Sequence, residues 1–230
     1  MTAVQLADGE LNYLLEGPAQ APVLVLSNSL GTDLHMWDAQ MAAFTEHFRV
    51  LRYDTRGHGQ SLVTEGPYSI EQSGRDVLAL QRAVLCNTAA KIGNPDVWNP
   101  RIETVLRDGA AAMLALRDGS IARWFTPAFA AAQPSQVEPI VGMLAQTSPQ
   151  GYAANCAAVR DADFREQLAG ITLPVLVVCG SEDAVTTPAD GRFMVDRICG
   201  AELVELHAAH LSNVEAGALF SSRVLDFLLA

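Results

Sequence analysis

Asp183 and His210 are the residues of this sequence whose types and order could carry out acid–base chemistry together. Asp183 ends the polar run 180–183 (Gly-Ser-Glu-Asp), and His210 directly precedes the last helical pattern. A carboxylate that holds one imidazole nitrogen leaves the other nitrogen free to remove a proton from a nucleophile. Such a pair requires the two side chains to lie within hydrogen-bond reach, about 2.6–3.2 Å.

Other interpretations of these residues stay open. The run 180–183 could be no more than a polar turn, and His210 no more than the residue before a helix. His207 is a rival to His210, although it lies closer to the end of the preceding predicted strand.

Two further loops also follow predicted strands. The loop 27–31 (Ser-Asn-Ser-Leu-Gly) contains a glycine turn, which can expose backbone N–H groups to an oxyanion or simply join a strand to a helix. His58 lies between two glycines in the loop 54–61. A lone loop histidine is more often structural than catalytic, and we interpret His58 as structural.

The composition excludes several classes of function. A chain of 230 residues, half of them hydrophobic and 18% charged, can form one large domain or a domain with an inserted lobe. Its net charge of −11 argues against a nucleic-acid partner, because phosphate contacts need a basic surface. Its four cysteines are scattered without C-x-x-C spacing, so neither a metal site nor a disulfide framework is predicted.

The sequence also predicts a cytoplasmic protein without a membrane span. The first ten residues lack the basic and apolar stretches of a signal peptide. No apolar run approaches the ~18 residues that a span needs. The sequence does not indicate an oligomeric state.

Strand and helix patterns alternate at both ends of the chain. Strands are predicted at residues 3–7, 10–16, 22–26, 48–53, 83–86, 173–180 and 201–206. Helices are predicted at residues 37–48, 69–82, 188–198 and from 212 onward, the last with a capping box between Ser212 and Glu215. The apolar run 22–26 is typical of a strand buried on both faces. This alternation predicts an α/β fold with a mostly parallel sheet.

The middle of the chain has helical patterns only. We predict a first core segment at 1–93, an inserted helical cap at 94–168 and a second core segment at 169–230. Such a cap would cover the carboxyl ends of the strands, where open α/β sheets bind ligands.

Four runs of sequence resemble the α/β-hydrolase superfamily with a helical cap. They are LSNSLGTDLHMWD, RYDTRGHGQS, LPVLVVCGSEDAVTTP and HAAHLSNVEAG. Within that superfamily they are most similar to the 3-oxoadipate enol-lactonase family of aromatic-acid degradation, and the resemblance covers nearly the whole chain. It implies that Asp183 is the triad acid, that His210 is the base and that Leu30 donates an oxyanion-hole N–H. The implied reaction is hydrolysis of a small anionic lactone or ester without a cofactor or metal.

The nucleophile elbow of that superfamily is missing from this sequence. The elbow motif is G-x-S-x-G, and no serine or cysteine here has glycine at both two-residue offsets. The predicted helix 69–82 runs straight into the strand 83–86, which resembles the strand after the elbow. No nucleophile is therefore assigned, and one βα unit, on the order of 30 residues, is expected to be absent.

The missing unit leaves two outcomes open for the sheet. The strand at 83–87 could take the vacant place beside 22–27 through a right-handed crossover. Alternatively, the gap stays unfilled and the sheet splits with exposed edges.

Three hypotheses for function follow. The first is an enol-lactonase-type hydrolase that is inactive as written because its elbow is lost. The second is a non-catalytic relic, or an engineered deletion variant, that at most binds the ligand. The third is a general carboxylesterase with another nucleophile, such as Ser29 or a water activated by His210.

Arg123 and Trp124, in the predicted cap, are the candidate substrate-binding residues. The lactone that the resemblance implies carries a carboxylate, whereas the protein is acidic overall. Arginine can bind a carboxylate through two parallel hydrogen bonds, so Arg123 is the candidate anchor. The alternative is a helix residue whose aliphatic stem covers apolar surface.

Overall fold

The structure is a computed structural model that describes residues 2–71 and 82–230. The chain divides into two compact units, each with its own sheet. The first unit comprises residues 1–77, 93–118 and 138–161, and the second comprises residues 78–92, 119–137 and 162–230.

The first unit contains a four-stranded sheet. Its strands are β1 (Thr2–Leu6), β2 (Gly9–Glu16), β3 (Val23–Leu26) and β4 (Arg49–Tyr53), in the order β1-β2-β4-β3. β1 and β2 form an antiparallel hairpin, β2 runs antiparallel to β4, and β3 runs parallel to β4. These strands lie close to the positions that the sequence predicts.

The second unit contains a parallel three-stranded sheet. Its strands are β5 (Ala83–Cys86), β6 (Val175–Gly180) and β7 (Glu202–Leu206), in the order β5-β6-β7. Every residue of β6 is buried, because β6 has a strand on each side. Its run of valine and leucine residues is the pattern expected for such a strand.

The described strands form two sheets rather than one, which is the second of the two outcomes left open by the sequence. Among the described strands, β3 pairs only with β4 and β5 pairs only with β6. Val23 is 60% exposed, so the expectation that this run is buried on both faces is wrong. The physical reason is that β3 ends its sheet and so has a partner strand on one side only.

Helices fill most of the remaining chain. A short 3₁₀ helix at Leu34–Trp37 leads into the first α-helix. The α-helices are α1 (Asp38–Phe44), α2 (Pro95–Asp108), α3 (Ala110–Trp124), α4 (Pro127–Ala132), α5 (Pro134–Gln146), α6 (Pro149–Asp161), α7 (Pro188–Val195), α8 (Ser212–Glu215) and α9 (Gly217–Leu229). The predicted helix at 69–82 falls for the most part outside the described residues.

Residues 94–168 contain helices and no strand, as the sequence predicts. The boundaries of a cap stay a prediction, because the two compact units divide this segment between them. The start of α4 shows how the sequence sets the helix ends. The Thr126 hydroxyl accepts the Phe129 N–H at 3.2 Å, and Pro127 occupies the first helical position, where its missing N–H has no cost.

Candidate active site

Asp183 lies in the turn that directly follows β6, and backbone groups of that turn fix its carboxylate. Oδ1 accepts the N–H of Val185 at 2.8 Å and that of Thr186 at 3.0 Å, and Oδ2 accepts the Thr186 hydroxyl at 3.0 Å. Burial alone would raise the pKa of Asp183. The hydrogen bond and charge of His210, with the N–H groups of Thr186 and Val185, outweigh burial and hold that pKa below its ordinary 3.8. Asp183 is therefore ionised at neutral pH.

His210 makes the contact with Asp183 that the sequence predicts. Its Nδ1 lies 2.8 Å from Asp183 Oδ2, and the side chain is 15% exposed. An ionised carboxylate requires a proton on Nδ1, which leaves the lone pair of the neutral ring on Nε2. His207, the rival candidate, is 88% exposed and lies beside Glu182 instead. The pair can thus accept a proton at His210 Nε2.

A glycine at the end of β6 allows the loops of Asp183 and His210 to approach each other. A Cβ atom at Gly180 would overlap the carbonyl oxygens of Ala208 and Ala209, the two residues before His210. Any side chain here would push the histidine loop away from the acid loop.

Asn87 is a site residue that the sequence analysis missed. It follows β5 directly, with a φ of 45° that asparagine tolerates better than most residues. Its Nδ2 donates to Asp183 Oδ2 at 3.1 Å and to the Ala209 carbonyl at 3.2 Å, and its Oδ1 accepts the Ser212 hydroxyl. Its position could have been used to predict it as a site residue, because it is a polar residue directly after a predicted parallel strand.

Glu215 does not form the capping box that the sequence predicts with Ser212. Helix α8 is only one turn long, and the Glu215 carboxylate reaches back to accept the Ala209 N–H at 3.0 Å. It also accepts the Thr126 N–H at 3.2 Å and the Thr126 hydroxyl. The Ser212 hydroxyl is bound to Asn87 instead.

Trp124 and Arg123 lie at the end of α3, also in the second unit. Trp124 is buried, and its carbonyl accepts the N–H of Leu211, the residue after His210, at 3.0 Å. Arg123 is half-buried, and its Nη2 donates to the Ser120 hydroxyl at 3.0 Å. The structure therefore joins the Trp124 backbone to the histidine loop. The substrate-binding roles of both residues stay predictions.

Leu30 lies in the first unit, in the loop that follows β3. Gly31 has a φ of 85°, and its N–H donates to His58 Nε2 at 2.8 Å. Among the described residues, the N–H of Leu30 has no hydrogen-bond partner, as a group that is to bind an oxyanion requires. Its role stays a prediction.

His58 has the structural role that the sequence suggests. It is 2% exposed, and burial lowers its pKa to about 4, so the ring is neutral. Nε2 accepts the Gly31 N–H, and Nδ1 faces the Arg56 carbonyl at 3.4 Å. The ring thus holds the loop of Leu30 in place.

Protonation of His58 is expected to lower the free energy of unfolding as the pH falls. An unfolded histidine has a pKa of about 6.5, so between there and the folded value of about 4 the unfolded state binds more protons. Urea unfolding at about pH 7.5 and about pH 4.5 should show a contribution from His58 of about 2–3 kcal/mol.

The matched comparison uses His58→Gln, whose side-chain oxygen can still accept the Gly31 N–H but does not titrate. It should lose less stability between the two pH values than the wild type. His47→Gln, at an exposed histidine, should behave like the wild type. An unchanged pH dependence in His58→Gln would contradict the role of His58.

Three of the cysteines are buried in surroundings that disfavour the thiolate form. Burial raises the pKa of Cys86 and of Cys156 to about 12, and that of Cys179 to about 11. Within residues 2–71 and 82–230, no group of three or more His, Cys, Asp or Glu residues is placed to hold a metal ion. In the same residues, no helix is long and apolar enough to cross a membrane.

Comparison with known proteins finds close relatives over nearly the whole chain. The chain is 39% identical to 3-oxoadipate enol-lactonase 2 of Acinetobacter baylyi, covering 94% of this chain and 92% of that protein. It is 38% identical to 3-oxoadipate enol-lactonase 1 of the same organism, covering 89% and 88%. No family model matches.

Solved structures give the same relationship. The enol-lactonase from Burkholderia xenovorans LB400 matches with a TM-score of 0.96 and 41% identity, over all of both chains. A hydrolase from Pseudomonas aeruginosa PA01 matches with a TM-score of 0.95 and 41% identity, over 100% of this chain and 98% of that one. An esterase from Thermogutta terrifontis, at 22% identity and a TM-score of 0.89, shares the fold.

Proposed function

This chain belongs to the family of the 3-oxoadipate enol-lactonases, with an α/β-hydrolase fold, and we propose that Asp183 and His210 form the acid–base pair of an ester hydrolase of that type. The observation that carries the proposal is the 2.8 Å contact between His210 Nδ1 and Asp183 Oδ2. The proposed substrate is a small lactone, as the names of the relatives suggest. Its negative charge and its place in the degradation of aromatic acids are what the resemblance in the sequence implies.

Each residue has a defined part in the proposed reaction. His210 Nε2 removes the proton of a nucleophile as it attacks the lactone carbonyl, and returns that proton to the departing ring oxygen. Water then attacks the acyl intermediate, again with His210 as the base. Asp183 stabilises the imidazolium in both steps. The N–H of Leu30 would bind the oxyanion.

The same chain lacks the motif that supplies the nucleophile in this fold. No serine stands in a G-x-S-x-G motif, and the chemistry of an enol-lactonase proceeds through such a group in this fold. The alignment with the Acinetobacter enzyme extends over 249 positions, more than the 230 residues of this chain, so part of that relative has no counterpart here. We propose that the unmatched part includes the elbow and that the chain as written is inactive.

A second candidate function, a non-catalytic protein that at most binds the ligand, rests on the missing motif.

One experiment separates the enol-lactonase-type hydrolase from the non-catalytic protein. A strand–helix unit with G-x-S-x-G, taken from an enol-lactonase relative, is inserted between Leu80 and Ala83. The product is called the restored protein below. Enol-lactone hydrolysis by the restored protein, but not by the original chain, supports the first proposal; hydrolysis by neither would contradict it.

Arg123→Ala in the restored protein is expected to raise KM for the anionic lactone roughly 10–100-fold, because one charge-assisted hydrogen bond contributes about 1.5–3 kcal/mol. KM for an uncharged ester should change much less. Initial rates on both substrates provide the measurement. Arg117→Ala, on the same helix but paired with Glu138 in the first unit, is the matched control. Equal effects on the two substrates would remove Arg123 from the substrate site.

A further inference from the structure

The two peptide groups that flank His210 are held from outside their own loop. The carbonyl of Ala209 accepts a hydrogen bond from Asn87 at 3.2 Å, and the N–H of Leu211 donates to the Trp124 carbonyl at 3.0 Å. One residue earlier, the N–H of Ala209 donates to Glu215 at 3.0 Å. The backbone of His210 is thus fixed on both sides, in addition to the contact of its side chain with Asp183.

Glu215 joins this loop to the junction between α3 and α4. Its Oε2 accepts the N–H groups of both Ala209 and Thr126, and its Oε1 accepts the Thr126 hydroxyl. Thr126 is two residues beyond Trp124, whose carbonyl holds Leu211. The junction 124–126 is therefore connected to the histidine loop twice, once through its own backbone and once through the Glu215 carboxylate.

These contacts are buried and specific. Ala209 is 3% exposed, Leu211 is 1% exposed and Thr126 is 7% exposed. Removal of the Glu215 carboxylate would leave buried N–H groups without an acceptor, so the loop would have to move to reach water. A displacement of about 1 Å at a catalytic group can lower the rate about 10²-fold.

We propose that Glu215 is a positioning residue for His210. It fixes the histidine loop to the α3–α4 junction, so that His210 Nδ1 stays in contact with Asp183 and Nε2 keeps one direction. The junction also contains Trp124 and directly follows Arg123, the two candidate substrate-binding residues. That Glu215 acts on catalysis rests on the proposed function, in which His210 is the base. The contacts themselves do not depend on it.

The first experiment uses the 230-residue chain, labelled with ¹⁵N. The wild type should show a downfield proton resonance of His210 Nδ1–H and slowly exchanging amides at Ala209 and Leu211. In Glu215→Ala, the resonance should broaden or disappear, and both amides should exchange at least about tenfold faster. Glu215→Gln keeps an acceptor oxygen and should retain the resonance. Glu205→Ala, at an exposed glutamate paired with Arg192, is the matched control and should change nothing.

Thr126→Val is the milder second variant, in case Glu215→Ala does not fold. It removes the hydroxyl bond to Glu215, together with the bond that the same hydroxyl accepts from the Phe129 N–H at the start of α4, and it should speed the exchange of the Ala209 amide. Unchanged amide exchange at Ala209 and Leu211 in the folded variants would overturn the proposal. If the wild type has protected amides but no His210 resonance, that result would instead contradict the Asp183–His210 pair. The amide exchange rates of the variants would then still show whether Glu215 holds the histidine loop.

The second experiment measures kinetics in the restored protein. Glu215→Ala should lower kcat roughly 10–100-fold and leave KM for the lactone within about twofold, because the substrate contacts are kept while the base is displaced. Glu215→Gln should recover most of kcat. An equal loss in Glu215→Gln and Glu215→Ala, with the amides still protected, would overturn the positioning role.

Discussion

The purified 230-residue chain is expected to hydrolyse the enol-lactone about 10⁶-fold more slowly than a relative that contains the elbow. The nucleophile forms the covalent bond, and a histidine base contributes only beside it. The residue after the nucleophile normally donates the second oxyanion N–H, so a chain without the elbow would lack that donor too, and about 10⁶ is therefore the smallest loss of rate that we expect.

Two measurements check this expectation. One is the rate of hydrolysis of the enol-lactone or of a chromogenic ester, and the other is labelling with a fluorophosphonate serine probe. Turnover within about tenfold of a relative that has the elbow, or stoichiometric labelling of any serine, would reveal a nucleophile outside the G-x-S-x-G motif. Ser29, in the loop after β3, is the first serine to examine in that case.

The restored protein is the matched control for this prediction. Both hydrolysis and labelling should return, and the same insert with alanine in place of its serine should restore neither. A new strand also has free strand edges to pair with, since β3 and β5 each end a sheet among the described strands. Hydrolysis by the alanine insert would show that activity does not come from the elbow.

Loss of the histidine base is expected to have the second largest effect. In the restored protein, His210→Ala should lower kcat about 10⁴–10⁶-fold, because a triad without its base retains only binding and oxyanion stabilisation. Asp183→Asn should lower kcat about 10⁴-fold, since an amide cannot favour the His210 tautomer that has its proton on Nδ1. KM should change little in either variant. Steady-state kinetics with the enol-lactone provide the measurement.

His207→Ala is the control for the histidine prediction. His207 lies only three residues before His210 in the sequence, but its side chain is 88% exposed. Its loss should leave kcat within about twofold, the range expected for a surface change away from the site. A larger effect of His207→Ala than of His210→Ala would transfer the role of base to His207.

Local patterns made much of this molecule predictable from its sequence. β6 begins with a run of valine and leucine residues, and the acid loop follows the strand directly, so Asp183 could be placed at a strand end. The pairing with His210 could be expected from the order of the two residues. His58 could be assigned a structural role because a lone loop histidine is more often structural than catalytic, and its burial agrees with that role.

Contacts between distant parts of the chain escaped prediction. Asn87 and Asp183 lie 96 residues apart, and Thr126 and Glu215 lie 89 residues apart, so no local pattern joins them. Glu215 also matched a local capping signal, which its tertiary partners overrode. The exposure of Val23 depends on which strand lies beside β3, and an apolar run alone does not specify its neighbours.

The network around His210 has a modular character. Asp183, Asn87, Trp124 and Glu215 all belong to the second unit, as does His210 itself. No residue of the first unit takes part in the contacts described for that network. A chain without the G-x-S-x-G motif can therefore still hold the whole of the proposed acid–base network, because that network lies in one compact unit.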